Sequence, residues 1–107
     1  MLIAVAAERA LEFYTDDGVL PGVARAHVPY FDRRPLERPW TCKFEISWPG
    51  YEERRVVFGL DSWEALFAAS SVVSRLISEA PDFKAGRIGA FGQRLRTLTD
   101  IEKLFGL

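Results

Sequence analysis

The stretch Trp40-Thr41-Cys42-Lys43-Phe44-Glu45-Ile46-Ser47-Trp48, continued by a turn, a second strand and Gly59-Leu60-Asp61-Ser62-Trp63-Glu64-Ala65-Leu66, decides the fold. Its even positions, Trp40, Cys42, Phe44, Ile46 and Trp48, are apolar, and its odd positions, Thr41, Lys43, Glu45 and Ser47, are polar. That period of two predicts a strand with one buried and one solvated face. Pro49-Gly50 opens a reversal, and Val56-Val57-Phe58-Gly59-Leu60 reads as the returning strand. Asp61 is a helix N-cap, and Glu64 three positions later completes an acidic capping box. Trp63, Leu66, Phe67, Ser70, Val73, Ser74 and Ile77 then recur at helical spacing, widened by Ala65, Ala69, Val72 and Leu76. The small residues Ala68, Ala69, Ser70 and Ser71 let this helix approach a sheet closely. Pro81 stops it.

Parity constrains the turn between the two strands. A two-residue loop at Pro49-Gly50 sets Trp48 opposite Tyr51 and Phe44 opposite Arg55 on the buried face. A three-residue loop sets Trp48 opposite Glu52, Phe44 opposite Val56 and Cys42 opposite Phe58, with Glu45 and Arg55 paired outside. The hydrophobic pattern favours the odd loop.

Upstream, the odd positions from Ile3 to Phe13 are apolar except for Arg9, which predicts a strand buried on one side. Asp17-Gly18 supplies a hairpin signal. The return segment, Val19 to Val28, contains Pro21, which has no amide to donate and so belongs at a sheet edge or a bulge. Pro29 to Pro39 holds three prolines and several charges and reads as a surface loop. Downstream, Gly86 to Gly92 reads as a short extended piece. Thr99 followed by Glu102 forms a second capping box, before an apolar face of Ile101, Leu104 and Phe105.

These elements make a two-layer α+β domain spanning residues 1–107. The sheet is four-stranded and mainly antiparallel, with strands at about 2–14, 19–28, 40–48 and 53–60. One long helix, about 62–80, packs on one face, and a short C-terminal helix follows at about 99–105.

Composition bounds the function classes. A chain of 107 residues buries roughly 65% of its unfolded surface, enough for one core. A net charge of −1 creates no global field for nucleic acid or an anionic membrane. One cysteine builds neither a disulfide framework nor a thiolate zinc site alone. The opening residues are apolar for too short a run to read as a signal peptide, and no run has the length of a transmembrane helix. The expected setting is the cytoplasm.

The pattern Trp40-x-Cys42-x-Phe44-x-Ile46, Arg55 on the next strand, then Gly59-x-Asp61-Ser62-x-x-Ala65-Leu66, resembles an uncharacterised family of small bacterial α+β proteins, a domain of unknown function. The resemblance covers roughly residues 40 to 77. It implies the fold class and carries over no catalytic residues.

Candidates for chemistry are few. His27, the lone histidine, has neither a nucleophile nor further metal ligands in its pattern. Cys42 lies on the apolar face, where a thiol behaves as a small hydrophobe with a raised pKa. Asp16-Asp17 and Glu52-Glu53 sit in solvated turns. The glycines at 86, 89 and 92 lack the Lys-Ser/Thr continuation of a phosphate loop. The balance falls against an enzyme, and no cofactor or metal is implied. The surface residues singled out are Tyr30, Arg33, Arg34, Trp40, Trp48, Arg87, Arg94 and Arg96. They point to a protein-interaction or regulatory module, immunity- or antitoxin-like by analogy, with a protein partner or self-association through the second strand's edge or the Tyr30-to-Pro39 loop. Small-molecule or nucleic-acid binding through the Gly/Arg-bearing C-terminal segment is the alternative.

Overall fold

The computed structural model describes residues 4–34 and 37–106. β1 (Val5–Thr15) and β2 (Gly18–His27) form a long antiparallel hairpin closed by Asp16-Asp17. The Thr15 hydroxyl ties the turn, donating to the Gly18 carbonyl at 2.8 Å and accepting from the Asp17 amide. Residues 2 and 3 of the expected first strand lie outside the described residues. Pro21 sits beyond the last pairing of β2 with the next strand, where its missing N–H interrupts no rung on that side.

β4 (Trp40–Trp48) is the centre of the sheet. One of its edges carries β5 (Tyr51–Gly59); the other is shared by β2 and the two-residue β3 (Tyr30–Phe31). Between β2 and β3 the register on β4 shifts by one residue, at Val28-Pro29, as expected where proline interrupts a ladder. The second strand is therefore internal over Val23–Ala26, flanked there by β1 and β4, while Gly18–Gly22 pairs with β1 alone.

Among the described residues the sheet has seven strands rather than four. The additional pieces come largely from the tail. After α1 (Ser62–Glu79) and the single turn α2 (Pro81–Lys84), β6 (Ile88–Ala90) pairs with β1, and β7 (Gln93–Arg94) pairs with β6. Short tail strands carry little period-two signal of their own; they form because β1 presents an open edge at Glu12 and Phe13. Gly89 is required there, since a Cβ would stand 2.5 Å from the Gln93 carbonyl oxygen.

The β4–β5 turn has two residues, Pro49 and Gly50, not three. Trp48 opposes Tyr51, Phe44 opposes Arg55, and Cys42 opposes Val57. Proline presets its own φ and Gly50 takes φ 86°, the pair of conformations a type II turn needs. The two-residue turn is tolerated because the helix layer does not cover the whole of β5. Tyr51, Val57 and Gly59 are covered, while Glu53 and Arg55 lie at the margin of that layer and pair with each other at 3.2 Å. Val56 and Phe58 consequently face the open side of the sheet and stay exposed.

The core lies between the sheet and α1. Leu11, Phe13, Phe44, Ile46 and Cys42 meet Ala65, Ala69, Val73 and Ile77, with Ile88, Leu95 and Ile101 closing one side. Each fully buried aliphatic or aromatic side chain contributes on the order of 1.5–3 kcal/mol. Asp61 caps α1 as its sequence position demands, accepting from the Glu64 amide at 2.7 Å. The Glu64 carboxylate, however, is engaged by Arg38 across the surface. The last helix, α3 (Leu98–Leu104), is capped by Thr97 and Asp100 rather than by Thr99 and Glu102. Thr97 sits one residue before the helix, where its hydroxyl accepts the Asp100 amide and the Asp100 carboxylate accepts the Thr97 amide, both at 3.1 Å.

Candidate interaction surface

α1 determines which hydrophobic side chains reach solvent. Gly59 ends β5 directly against the first turn of the helix, where a Cβ would lie 2.4 Å from the Ala65 amide nitrogen. So close a crossing admits only small side chains beneath the first two turns, and Ala65 and Ala69 occupy that face. The helix is thereby rotated so that Trp63 and Phe67 point outward, 83% and 57% exposed, with Leu60 of the preceding turn also exposed. Ser71 and Arg75 continue the same outward line. Single exposed apolar residues are ordinary on protein surfaces; two aromatics one helical turn apart are not.

The exposed pair borders two concavities. Trp63, Leu66, Phe67 and Ser70 line a shallow depression of about 180 Å³. Leu66 and Ser70 also line a groove of about 270 Å³ between α1, the β1–β2 hairpin and the end of α3, floored by Ala24, Ala26, Ala69 and Val73. Arg9 closes that groove: its Nη2 donates to the Leu104 carbonyl at 3.0 Å. This is how Arg9, a charged residue on the covered side of β1, is satisfied.

The opposite side of the sheet carries no helix and is organised by charge. Glu8, Arg25, Glu45 and Arg54 lie directly opposite one another on β1, β2, β4 and β5. Arg25 bridges Glu8 and Glu45 at 2.7 Å each, and Arg54 reaches Glu45 at 3.6 Å and Glu52 at 2.9 Å. The Arg25 guanidinium holds the Glu45 carboxyl below its ordinary range, and the two carboxylates hold Arg25 above its own. His27 Nε2 lies 3.6 Å from Glu45. His27, Lys43, Glu45, Arg54 and Val56 border a depression of about 520 Å³ on this side. Glu45 is the one carboxylate of its lining and is engaged by Arg25 and Arg54, while Lys43 and Arg55 leave the lining net basic.

Cys42 is fully buried, its thiol donating to the His27 carbonyl at 3.3 Å, and burial pushes its pKa up to about 11. Among the described residues, no group of three or more His, Cys, Asp or Glu side chains could hold a metal ion. No helix among them is long and apolar enough to cross a membrane.

The surface residues singled out from sequence fall into separate groups. Tyr30 and Trp40 lie at one end of β4, where Phe31 packs edge-on against Trp40 at 5.9 Å and Lys43 approaches the Tyr30 ring. Arg33 is exposed, and Arg34 is tied to Asp32 through its guanidinium. Trp48 is buried, stacked on Tyr51 at 4.1 Å with its Nε1 donating to Asp82 at 2.8 Å. It anchors α2 to the sheet and presents no surface. Arg87, Arg94 and Arg96 are exposed on the tail; Arg94 lies over the Tyr14 ring at 4.6 Å and donates to the Gly86 carbonyl.

The sequence reading placed Phe67 in the buried stripe and weighed Trp63 both as core and as a rim anchor; both reach solvent. The signal was there in the row of small residues at Ala65 and Ala69, which follows Gly59 and marks the side of closest approach. The sequence reading missed Phe91, which occupies φ 53° at the tip of the β6–β7 hairpin, 76% exposed, beneath the Arg9 guanidinium at 5.2 Å.

A family model described as "Domain of unknown function (DUF6968)" matches residues 7–99. The chain belongs to this family. No curated protein and no solved structure matches the chain. For this DUF6968 domain the match runs from β1 through α2 and the tail hairpin to the start of α3, so the segment after Pro81 is part of the family unit.

Proposed function

We propose that this DUF6968 domain is a non-enzymatic protein-interaction module whose contact surface is the outward line of α1. One observation carries the reading: Trp63 and Phe67 are displayed one turn apart on a helix whose other side is locked onto the sheet. Indole and phenyl groups in such positions are the usual anchors of protein interfaces. The charge row on the opposite side is internally matched and gives a partner much less to gain. A photo-crosslinking residue placed at Ala68, beside the aromatic pair, tests the reading in cells that express the protein. The expected result is one discrete adduct that disappears when Trp63 and Phe67 are both changed to Ala. Absence of any adduct overturns it. An immunity- or antitoxin-like role is the form such a module takes if that adduct is a toxin.

A second reading rests on the tail. Phe91 holds a left-handed conformation that costs about 1 kcal/mol or more, and its ring reaches solvent at a depression of about 380 Å³ lined by three cations, Arg9, Arg94 and Lys103, and one carboxylate, Asp100. Aromatic rings among guanidinium groups suit a small aromatic anion or an unpaired base. Salt-sensitive binding of a labelled oligonucleotide or nucleotide, weakened by Arg94→Ala and Arg96→Ala, supports it. No binding at low salt removes it.

A further inference from the structure

We infer that the occupant of the α1 surface is a second copy of this chain, the two α1 helices packing antiparallel about a two-fold axis that passes between Phe67 and Ser71 on the exposed side of the helix. This inference rests on the reading of α1 as the contact surface and names its partner. Trp63, Phe67, Ser71 and Arg75 are four residues apart and form one exposed ridge about 18 Å long. In an isologous pair, each residue meets the residue equally far on the other side of the axis. Trp63 then meets Arg75 of the second copy, and Phe67 meets its Ser71. Each large side chain faces a small or extended one, and each indole faces a guanidinium, the favoured cation–π pairing. Arg75 is exposed on the ridge, so its guanidinium can reach a second copy. A parallel arrangement fails on both counts, stacking Trp63 on Trp63 and Arg75 on Arg75. The same ridge ends on Glu79 and is flanked by Glu64, which disfavours an anionic membrane as occupant.

Helices meeting along such ridges cross at about 50°, with axes 8–10 Å apart. Glu79 continues the ridge past the region of overlap, so a spin label on Glu79→Cys reports the direction of pairing without occupying the contact. Buried Cys42 stays unlabelled. The experiment combines light-scattering mass, sedimentation and the label-to-label distance on the full chain. A dimer is expected, with labels on the order of 25–30 Å apart, against about 15 Å for parallel helices. Phe67→Asp yields a monomer with an unchanged circular dichroism spectrum. Trp63→Ala and Arg75→Ala each weaken the dimer roughly five- to twenty-fold, and the double variant is little weaker than either single one. A dimer insensitive to Phe67→Asp, or one with the short distance, overturns the inference. A monomer at 100 μM (a concentration set by the assay) also overturns it. In that case an adduct to a different protein from the Ala68 crosslinker preserves the interaction reading, and no adduct removes both.

Discussion

Gly59 and Ala65 touch backbone to backbone: a Cβ on Gly59 would stand 2.4 Å from the Ala65 amide nitrogen and 2.9 Å from its Cα. The contact sets the rotation of α1, and with it the exposure of Trp63 and Phe67. Both atoms it would strike are main-chain, so no rotamer change relieves a larger residue. Gly59→Ala is expected to lower stability by about 2–3 kcal/mol, as overpacking in a rigid site does. Urea unfolding monitored by circular dichroism measures it; a change under about 0.5 kcal/mol would show that the helix shifts without cost.

Glu45 accepts from Arg25, which holds its carboxyl below the usual range in the folded state. A depressed folded pKa adds stability above the unfolded value of about 4.3, and that stability is lost as pH falls through the folded value. Wild type should therefore lose stability below about pH 4.5 more steeply than Glu45→Gln. If the two pH profiles run parallel, the Arg25 contact contributes nothing to folding.

Cys42 has the opposite linkage. Its thiol is fully buried and its pKa stands near 11, above the unfolded value, so the folded state resists ionisation. The associated stability is present below about pH 8.5 and declines as pH rises toward 11. At pH 8, a thiol-specific reagent should leave the native protein unmodified and label it fully in denaturant. Rapid native labelling contradicts the burial.

Thr97 and Thr99 separate the observed cap of α3 from the expected one. Thr97→Ala removes a hydroxyl that accepts the Asp100 amide and should cost about 1 kcal/mol. Thr99 is an exposed residue within the first turn, and Thr99→Ala should change stability by less than about 0.5 kcal/mol. Equal effects of the two substitutions rule out the assigned cap.

Much of the architecture was legible wherever a local rule acted alone. The alternation from Trp40 to Trp48 described β4 because that strand is covered on one side along its length. Asp61 and Pro81 marked the start and stop of α1 through an orphan amide and a missing one. The β4–β5 register was not legible, because Glu53 and Arg55 tolerate the helix side only at its margin, and a margin is a property of the assembled layers. The tail read as a short extended piece, but its pairing did not: Ile88–Ala90 joins the sheet by completing the edge of β1, some seventy-five residues earlier in the chain.

The sequence by itself determined the α+β class, the central strand, the long capped helix and the burial of Cys42, since each follows from periodicity, capping or the apolar face of one segment. Only the tertiary structure decided which stripe of α1 faces the sheet. Two stripes compete, one of aromatics and one of alanines, and hydrophobicity alone favours burying the larger. The short distance between Gly59 and Ala65 reverses that preference, because steric exclusion at 2–3 Å outweighs the transfer free energy of one indole. Trp63 is left in water for a reason that lies in another element, and the candidate surface exists because of it.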